Sequence, residues 1–104
     1  MAEKKTGREE KGDTEVQERL DKPKMYKVML LNDNYTSMEF VVGVLMGIFR
    51  HSQAAATRIM LSIHRNGVGV ACVVSRDVAE TRVDQVHEAA KEAGYPLQAL
   101  MEPE

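Results

Sequence analysis

Side chains that could bind a charged group occur at two separated places in this sequence. Asn32, Asp33 and Asn34 follow an apolar run, and His64 comes much later in the chain. Their oxygen and nitrogen acceptors suit a cation that carries several donor hydrogens. Asn-Asp-Asn is also common in plain turns, and a histidine at a helix C-terminus also interacts favourably with the helix dipole. The residue types alone therefore leave a shared site and two local structural roles open.

Apolar side chains adjoin both polar groups at helical spacing. Met38 and Val41 fall in the first turns of a predicted helix, and Met60 lies one helical turn before His64. If the two helices form an antiparallel hairpin, the start of the first is next to the end of the second. Asp33 and His64 are then expected to lie close together beside an apolar pocket. Methionines at this spacing are equally typical of an ordinary core.

The elements that must position these side chains are predicted in the order β-α-α-β-α-β. The predicted strands cover 25–31, 68–74 and 96–101, and the predicted helices cover 36–50, 53–64 and 77–93. Strands and helices in this order indicate an α+β fold, with helices packed on a small three-stranded sheet. The second strand is almost entirely apolar, which is typical of a central strand.

Local signals refine these boundaries. Thr36 followed by Glu39 matches a capping box at the start of the first helix, and Asp77 followed by Glu80 matches one at the start of the third. Gly43 and Gly47 lie one turn apart in the first helix, and close internal packing is the expected reason for both. Cys72 lies in an apolar run and is expected to be buried and unreactive.

Composition excludes several classes of function. The 104 residues carry a formal net charge of −2, which gives no electrostatic reason to expect nucleic acid or an anionic membrane as a partner. A single cysteine excludes an internal disulfide and a cysteine-based zinc site. The histidines have no ligand spacing, so no metal and no other cofactor is expected. Neither a membrane span nor a signal peptide is recognisable, and a cytoplasmic protein is expected.

The chain divides into two parts by composition. Residues 1–23 are highly charged and nearly without apolar side chains, so they cannot bury enough surface to offset the entropy of ordering. They are predicted to be a disordered, flexible N-terminal extension. Residues 24–104 are predicted to form one small core domain.

Three separated blocks resemble the ClpS family, the adaptors of bacterial Clp proteases. The first block is Asn-Asp-x-Tyr-Thr-x-Met-Glu-Phe-Val over residues 32–41, the second is Met60 to His64 followed by Gly67, and the third is Val-Ala-Glu-Thr-Arg-Val over residues 78–83. The resemblance implies a non-enzymatic adaptor that binds substrates through an N-terminal Leu, Phe, Tyr or Trp. Such an adaptor delivers them to a ClpA- or ClpC-type unfoldase coupled to ClpP.

The resemblance also implies roles for residues at matching positions. The substrate α-amine would be bound by Asn32, Asp33, Asn34 and His64. The hydrophobic pocket for the N-terminal side chain would be lined by Thr36, Met38, Val41, Met60, Ile63 and Leu97. The unfoldase would dock on Asp77, Glu80, Thr81 and Arg82. The other implied partners are N-degron peptides and proteins, and the chain is expected to be a monomer.

Two alternatives remain open from the residues. Asp33 and His64 could orient and deprotonate a nucleophile in a small hydrolase, although no matching nucleophile is apparent. A generic protein-interaction domain would also have this architecture.

One departure from the ClpS pattern bears on the binding of an α-amine. Relatives commonly carry Asn-Asp-Asp, whereas the third residue here is the neutral Asn34. This residue keeps a hydrogen-bond acceptor but lacks a charge.

Overall fold

The computed structural model describes residues 24–104, and the predicted extension over residues 1–23 lies outside them. The elements are β1 (Met25–Leu31), α1 (Met38–Gly47), α2 (Gln53–Asn66), β2 (Val68–Ser75), α3 (Arg76–Ala93) and β3 (Gln98–Pro103). This order confirms the predicted β-α-α-β-α-β fold. The largest differences in bounds are at α1, which ends at Gly47, and at the last strand, which is displaced by two residues toward the C-terminus.

The sheet is antiparallel and has the order β2-β1-β3. The first strand is therefore central, and the prediction that Val68–Val74 forms the central strand is wrong. The prediction failed because the side chains on both faces of β2 are apolar, although only one face is buried. Val70 is 43% exposed and Val73 is 38% exposed.

The core lies between the helices and one face of the sheet. Val28, Leu30, Ala71 and Ala99 contribute from the strands and join buried side chains from all three helices in one cluster. On the opposite face, Met29 lies between Val70 and Leu100 in the strand register, and Leu100 is 41% exposed. The helices thus all pack on one side, which fixes the ends of β1 and α2 relative to each other.

Serines begin all three helices. Ser37 Oγ accepts a hydrogen bond from the Phe40 amide at 3.0 Å, and Ser52 Oγ accepts one from the Ala55 amide at 3.1 Å. The predicted cap at Thr36 is wrong because the hydroxyl and amide of that residue bond to a preceding aspartate instead. The predicted cap at Asp77 is also wrong, since β2 runs directly into α3 at Ser75.

The glycines of α1 have no internal packing role. A Cβ added to Gly43 or to Gly47 would meet no atom within 4 Å, so the predicted close packing is wrong. Among the glycines of residues 24–104, only Gly69 of β2 is crowded: a Cβ added there would meet Ile63 Cγ1 at 2.6 Å. The β2 strand therefore approaches α2 so closely that a Cβ at this position would require the Ile63 side chain to shift.

Cys72 is half-buried rather than buried. Burial raises the pKa of its thiol, and the positive charge of Arg82 opposes that shift. The thiol therefore remains largely protonated and weakly nucleophilic at neutral pH. Within residues 24–104, no helix combines the length and the apolar character that crossing a membrane requires.

Candidate functional site

The turn after β1 is organised by the Asp33 carboxylate. Its Oδ1 accepts hydrogen bonds from the amide of Tyr35 at 2.8 Å and from the amide of Thr36 at 2.7 Å. Its Oδ2 accepts one from the Thr36 hydroxyl at 2.8 Å. An aspartate that bonds amides two and three residues further along the chain is a typical local turn. The turn ends one residue before the Ser37 cap, so α1 starts directly from it.

These hydrogen bonds keep Asp33 ionised. Partial burial raises the pKa of the carboxyl, but the bonds from the Thr36 and Tyr35 amides and the Thr36 hydroxyl outweigh it, and the net pKa is lowered. A hydrogen bond to the charged form of a carboxyl stabilises that form. Asp33 therefore places a fixed negative charge beside the start of α1 at any pH above the ordinary range of aspartate, about 3.9.

Replacing Asp33 with asparagine should destabilise the fold in a pH-dependent way. Because the folded-state pKa of Asp33 is lowered, its contribution to stability is present above the unfolded-state pKa, about 3.9, and disappears as the pH falls through the folded-state value. The difference in thermal midpoint between the parent chain and Asp33→Asn should therefore be constant near neutral pH and shrink in strong acid. A difference that stays constant down to about pH 2 would contradict the role of the carboxylate charge.

A backbone bond joins the turn to the end of α2. The Asn32 amide donates to the Gly67 carbonyl at 2.9 Å, and the Gly67 amide donates to the Ile63 carbonyl at 2.9 Å. Gly67 has a φ of 87°, the left-handed conformation that glycine adopts readily. His64 lies within the last turn of α2. The two halves of the predicted site are thus held together by main-chain geometry, which no residue pattern had indicated.

A pocket of about 260 Å³ lies between these two halves. Its lining consists of Asn32, Asp33, Asn34, Thr36, Met38, Val41, Met60, Ile63 and His64. Nine of the ten residues that sequence analysis assigned to amine and side-chain binding therefore line a single pocket. The polar members come from the turn and the α2 terminus, and the apolar members come from α1 and α2. This arrangement can hold a cationic group and an apolar group of one small ligand at the same time.

Comparison with known proteins gives the family. The sequence model of the protein family described as ATP-dependent Clp protease adaptor protein ClpS matches residues 21–100. The chain belongs to the ClpS family. An ATP-dependent Clp protease adapter protein ClpS of Lawsonia intracellularis is 53% identical over 96 residues, covering 90% of this chain and 88% of its own length. The corresponding protein of Maricaulis maris is 58% identical over 83 residues, covering 80% of this chain and 76% of its own length.

A solved structure is similar as well. Agrobacterium tumefaciens ClpS2 bound to L-phenylalaninamide is 49% identical, with a TM-score of 0.77 over 80% of this chain and 100% of that chain. These similarities confirm the resemblance to the ClpS family and the fold that it implied. The relatives are protease adapters rather than enzymes, as the sequence analysis predicted, and the hydrolase reading of Asp33 and His64 is set aside.

Leu97 is the exception among the predicted pocket residues. It is 3% exposed in the core and lines a different depression beside His87, Ala90 and Tyr95. Its position just before β3 places it next to the C-terminal half of α3, whereas the pocket of about 260 Å³ lies between the β1–α1 turn, α1 and α2. The assignment of Leu97 to the pocket lining therefore stays a prediction.

The other two histidines have structural partners. His51 Nε2 donates to the Ala71 carbonyl at 2.6 Å, and His87 Nε2 accepts a hydrogen bond from the Ala99 amide at 3.0 Å. The first bond links the loop between α1 and α2 to β2, and the second links α3 to β3. Only His64 of the three lines the pocket. Among residues 24–104, no group of three or more His, Cys, Asp or Glu side chains could hold a metal ion.

The four predicted docking residues share the first turns of α3, away from the pocket. Asp77, Glu80 and Thr81 are exposed, and Arg82 is half-buried. Glu80 forms an exposed ion pair with Arg76 at 3.4 Å, and the Thr81 hydroxyl donates to the Asp77 carbonyl at 3.2 Å. An exposed pair of this kind contributes little to stability, so replacing these side chains should leave the fold largely intact.

Proposed function

We propose that this ClpS-family adaptor recognises substrates by their N-terminal residue. The pocket would bind the free α-amine through its polar side and a Leu, Phe, Tyr or Trp side chain through its apolar side. The adaptor would then deliver the substrate to a ClpA- or ClpC-type unfoldase coupled to ClpP. The proposal rests on one observation: hydrogen-bond acceptors and apolar side chains line the same pocket of about 260 Å³.

The polar side of the pocket suits an α-ammonium group. Such a group is a cation with three donor hydrogens and no acceptor. Asn32 and Asn34 offer amide oxygens, His64 in its neutral form offers a ring nitrogen, and Asp33 supplies a fixed charge nearby. Hydrogen bonds to a charged donor are roughly twice as strong as neutral ones. Acetylating the amine removes both the charge and two donors, so the polar side should distinguish the two forms.

The apolar side suits a long aliphatic or aromatic side chain that is not branched at Cβ. Val41, Met60 and Ile63 are buried, whereas Met38 is 47% exposed and lies at the mouth. A methionine at the mouth limits the room beside the Cβ atom of a bound residue, which disfavours branching at that atom. The relative from Agrobacterium tumefaciens supports this reading, because L-phenylalaninamide carries a free α-amine and an aromatic side chain.

Peptide binding tests the proposal directly. Fluorescein-labelled peptides that begin with Leu, Phe, Tyr, Trp, Val or Ile should be titrated with the full chain and followed by anisotropy, each beside its N-acetylated form. Free peptides beginning with the first four residues should bind at least about tenfold more tightly than their acetylated forms, a difference of about 1.4 kcal/mol. Equal binding of free and acetylated peptides would overturn the proposal.

Delivery is the second half of the proposed function. The predicted N-terminal extension would be engaged by the unfoldase, while Asp77, Glu80, Thr81 and Arg82 would dock on it from α3. The adaptor would act as a monomer in the cytoplasm. Degradation of an N-terminal Leu reporter by a ClpAP- or ClpCP-type protease should therefore depend on residues 1–23, while peptide binding should not.

A further inference from the structure

The Thr36 hydroxyl is fixed in orientation by Asp33. Thr36 donates twice to the same carboxylate, from its amide to Oδ1 at 2.7 Å and from its hydroxyl to Oδ2 at 2.8 Å. A β-branched side chain has few χ1 rotamers, and the hydroxyl bond selects one of them. The single hydroxyl hydrogen of Thr36 is therefore committed to Asp33.

This commitment determines what Thr36 offers to a ligand. Thr36 lines the pocket, and a hydroxyl has one donor hydrogen and two acceptor lone pairs. With the hydrogen used by Asp33, the oxygen presents only acceptors to a bound group. A donor-rich cation suits this oxygen, whereas a carbonyl or carboxylate on a ligand would be repelled by it.

Asp33 itself has little capacity left for direct contact. A carboxylate has about four acceptor positions, and three hydrogen bonds already occupy both oxygens. Its negative charge nevertheless polarises the hydroxyl that it holds, because hydrogen bonds in a chain strengthen one another. The charge can therefore act on a ligand through the Thr36 oxygen.

We propose that Thr36 is a specificity-determining contact whose hydroxyl oxygen accepts a hydrogen bond from the α-amine of the bound N-terminal residue, with Asp33 acting as the positioning residue behind it. This inference rests on the proposed recognition of a free N-terminus, and it deepens it. Sequence resemblance assigned Thr36 to the hydrophobic pocket and Asp33 to direct amine binding. The hydrogen bonds favour different roles for the two residues: Thr36 contacts the amine, and Asp33 orients Thr36.

Two substitutions at one position separate the hydroxyl from the shape of the side chain. Thr36→Val keeps the branched shape and loses the oxygen, whereas Thr36→Ser keeps the oxygen and loses the methyl group. Thr36→Val should weaken binding of a free N-terminal Leu or Phe peptide about tenfold, and Thr36→Ser should remain within about threefold of the parent chain. Neither should change the weak binding of the N-acetylated peptide. Thermal unfolding of each variant would show that the fold is retained.

A double-mutant cycle with Asp33→Asn tests the positioning role. If Asp33 acts through Thr36, the variant carrying both Asp33→Asn and Thr36→Val should bind no more than about twofold more weakly than the worse single variant. Fully additive losses would overturn the positioning role, and parental binding by Thr36→Val would overturn the contact itself. A parent chain that fails to distinguish free from acetylated peptides would instead overturn the proposed function, so the two failures are distinguishable.

Discussion

Replacing His64 with alanine should weaken binding of a free N-terminal Leu or Phe peptide about tenfold to a hundredfold. His64 lines the pocket beside the β1–α1 turn, and the α-amine has three donors that need acceptors. A hydrogen bond to a charged group contributes about 1.5–3 kcal/mol, and 1.4 kcal/mol corresponds to a tenfold change. Anisotropy titrations of the parent chain and His64→Ala with free and acetylated peptides measure this loss, which should be absent for the acetylated peptide.

The chain offers a matched control in His51. Its Nε2 donates to the Ala71 carbonyl at 2.6 Å, and it does not line the pocket. His51→Ala should lower the free energy of unfolding by about 1 kcal/mol while peptide affinity stays at the parental value. Comparable affinity losses in His51→Ala and His64→Ala would contradict a direct contact and indicate a general effect of histidine removal on stability.

That Asp33 and His64 line the same pocket could be predicted from the sequence, because their proximity depends on the order of the elements. An antiparallel pair of helices brings the start of α1 to the end of α2 whatever the details of packing. Helical spacing then places Met60 and His64 on one face. Both consequences need only the order and approximate length of two elements, which the periodicity of apolar residues indicates well.

The position of β2 at the sheet edge could not be predicted in the same way. Strand order depends on which partners a strand finds in three dimensions, and an apolar edge strand resembles a central one in sequence. Val70 and Val73 face the side of the sheet that carries none of the helix contacts. Their presence there has no signature in the sequence, because alternation between polar and apolar residues is missing from β2.

The detailed hydrogen bonds of the site were also beyond the sequence. Thr36, Ser37 and Asp33 can each cap a helix or close a turn, and their propensities differ by a few tenths of a kcal/mol. The structure resolves the choice through competition: Asp33 engages Thr36, which leaves Ser37 to cap α1. Asp33 followed three residues later by Thr36 is the sequence signal for this turn, and it overlaps the capping-box match of Thr36 with Glu39.

Replacing Gly69 with alanine should destabilise the fold and impair the pocket together. A Cβ at Gly69 would meet Ile63 Cγ1 at 2.6 Å and the Ile59 carbonyl oxygen at 3.4 Å. Ile63 is 3% exposed and lines the pocket, so a shift of its side chain away from the added methyl group should alter the pocket wall. Overpacking of this kind costs about 1–3 kcal/mol. Urea unfolding and peptide anisotropy on Gly69→Ala would measure the loss of stability and the loss of affinity.

Gly43→Ala is the matched control, because the same methyl group would meet no atom within 4 Å. Gly43 lies in the exposed face of α1 and does not line the pocket. Alanine in a helix interior is favoured over glycine by about 1 kcal/mol, so Gly43→Ala should be more stable than the parent chain with unchanged affinity. Weaker peptide binding by Gly69→Ala, together with parental binding by Gly43→Ala, would show that the contact of β2 with α2 sets the position of the pocket wall. Equal changes in affinity in the two variants would contradict that link, and a Gly69→Ala variant with parental stability and affinity would show that Ile63 moves without cost.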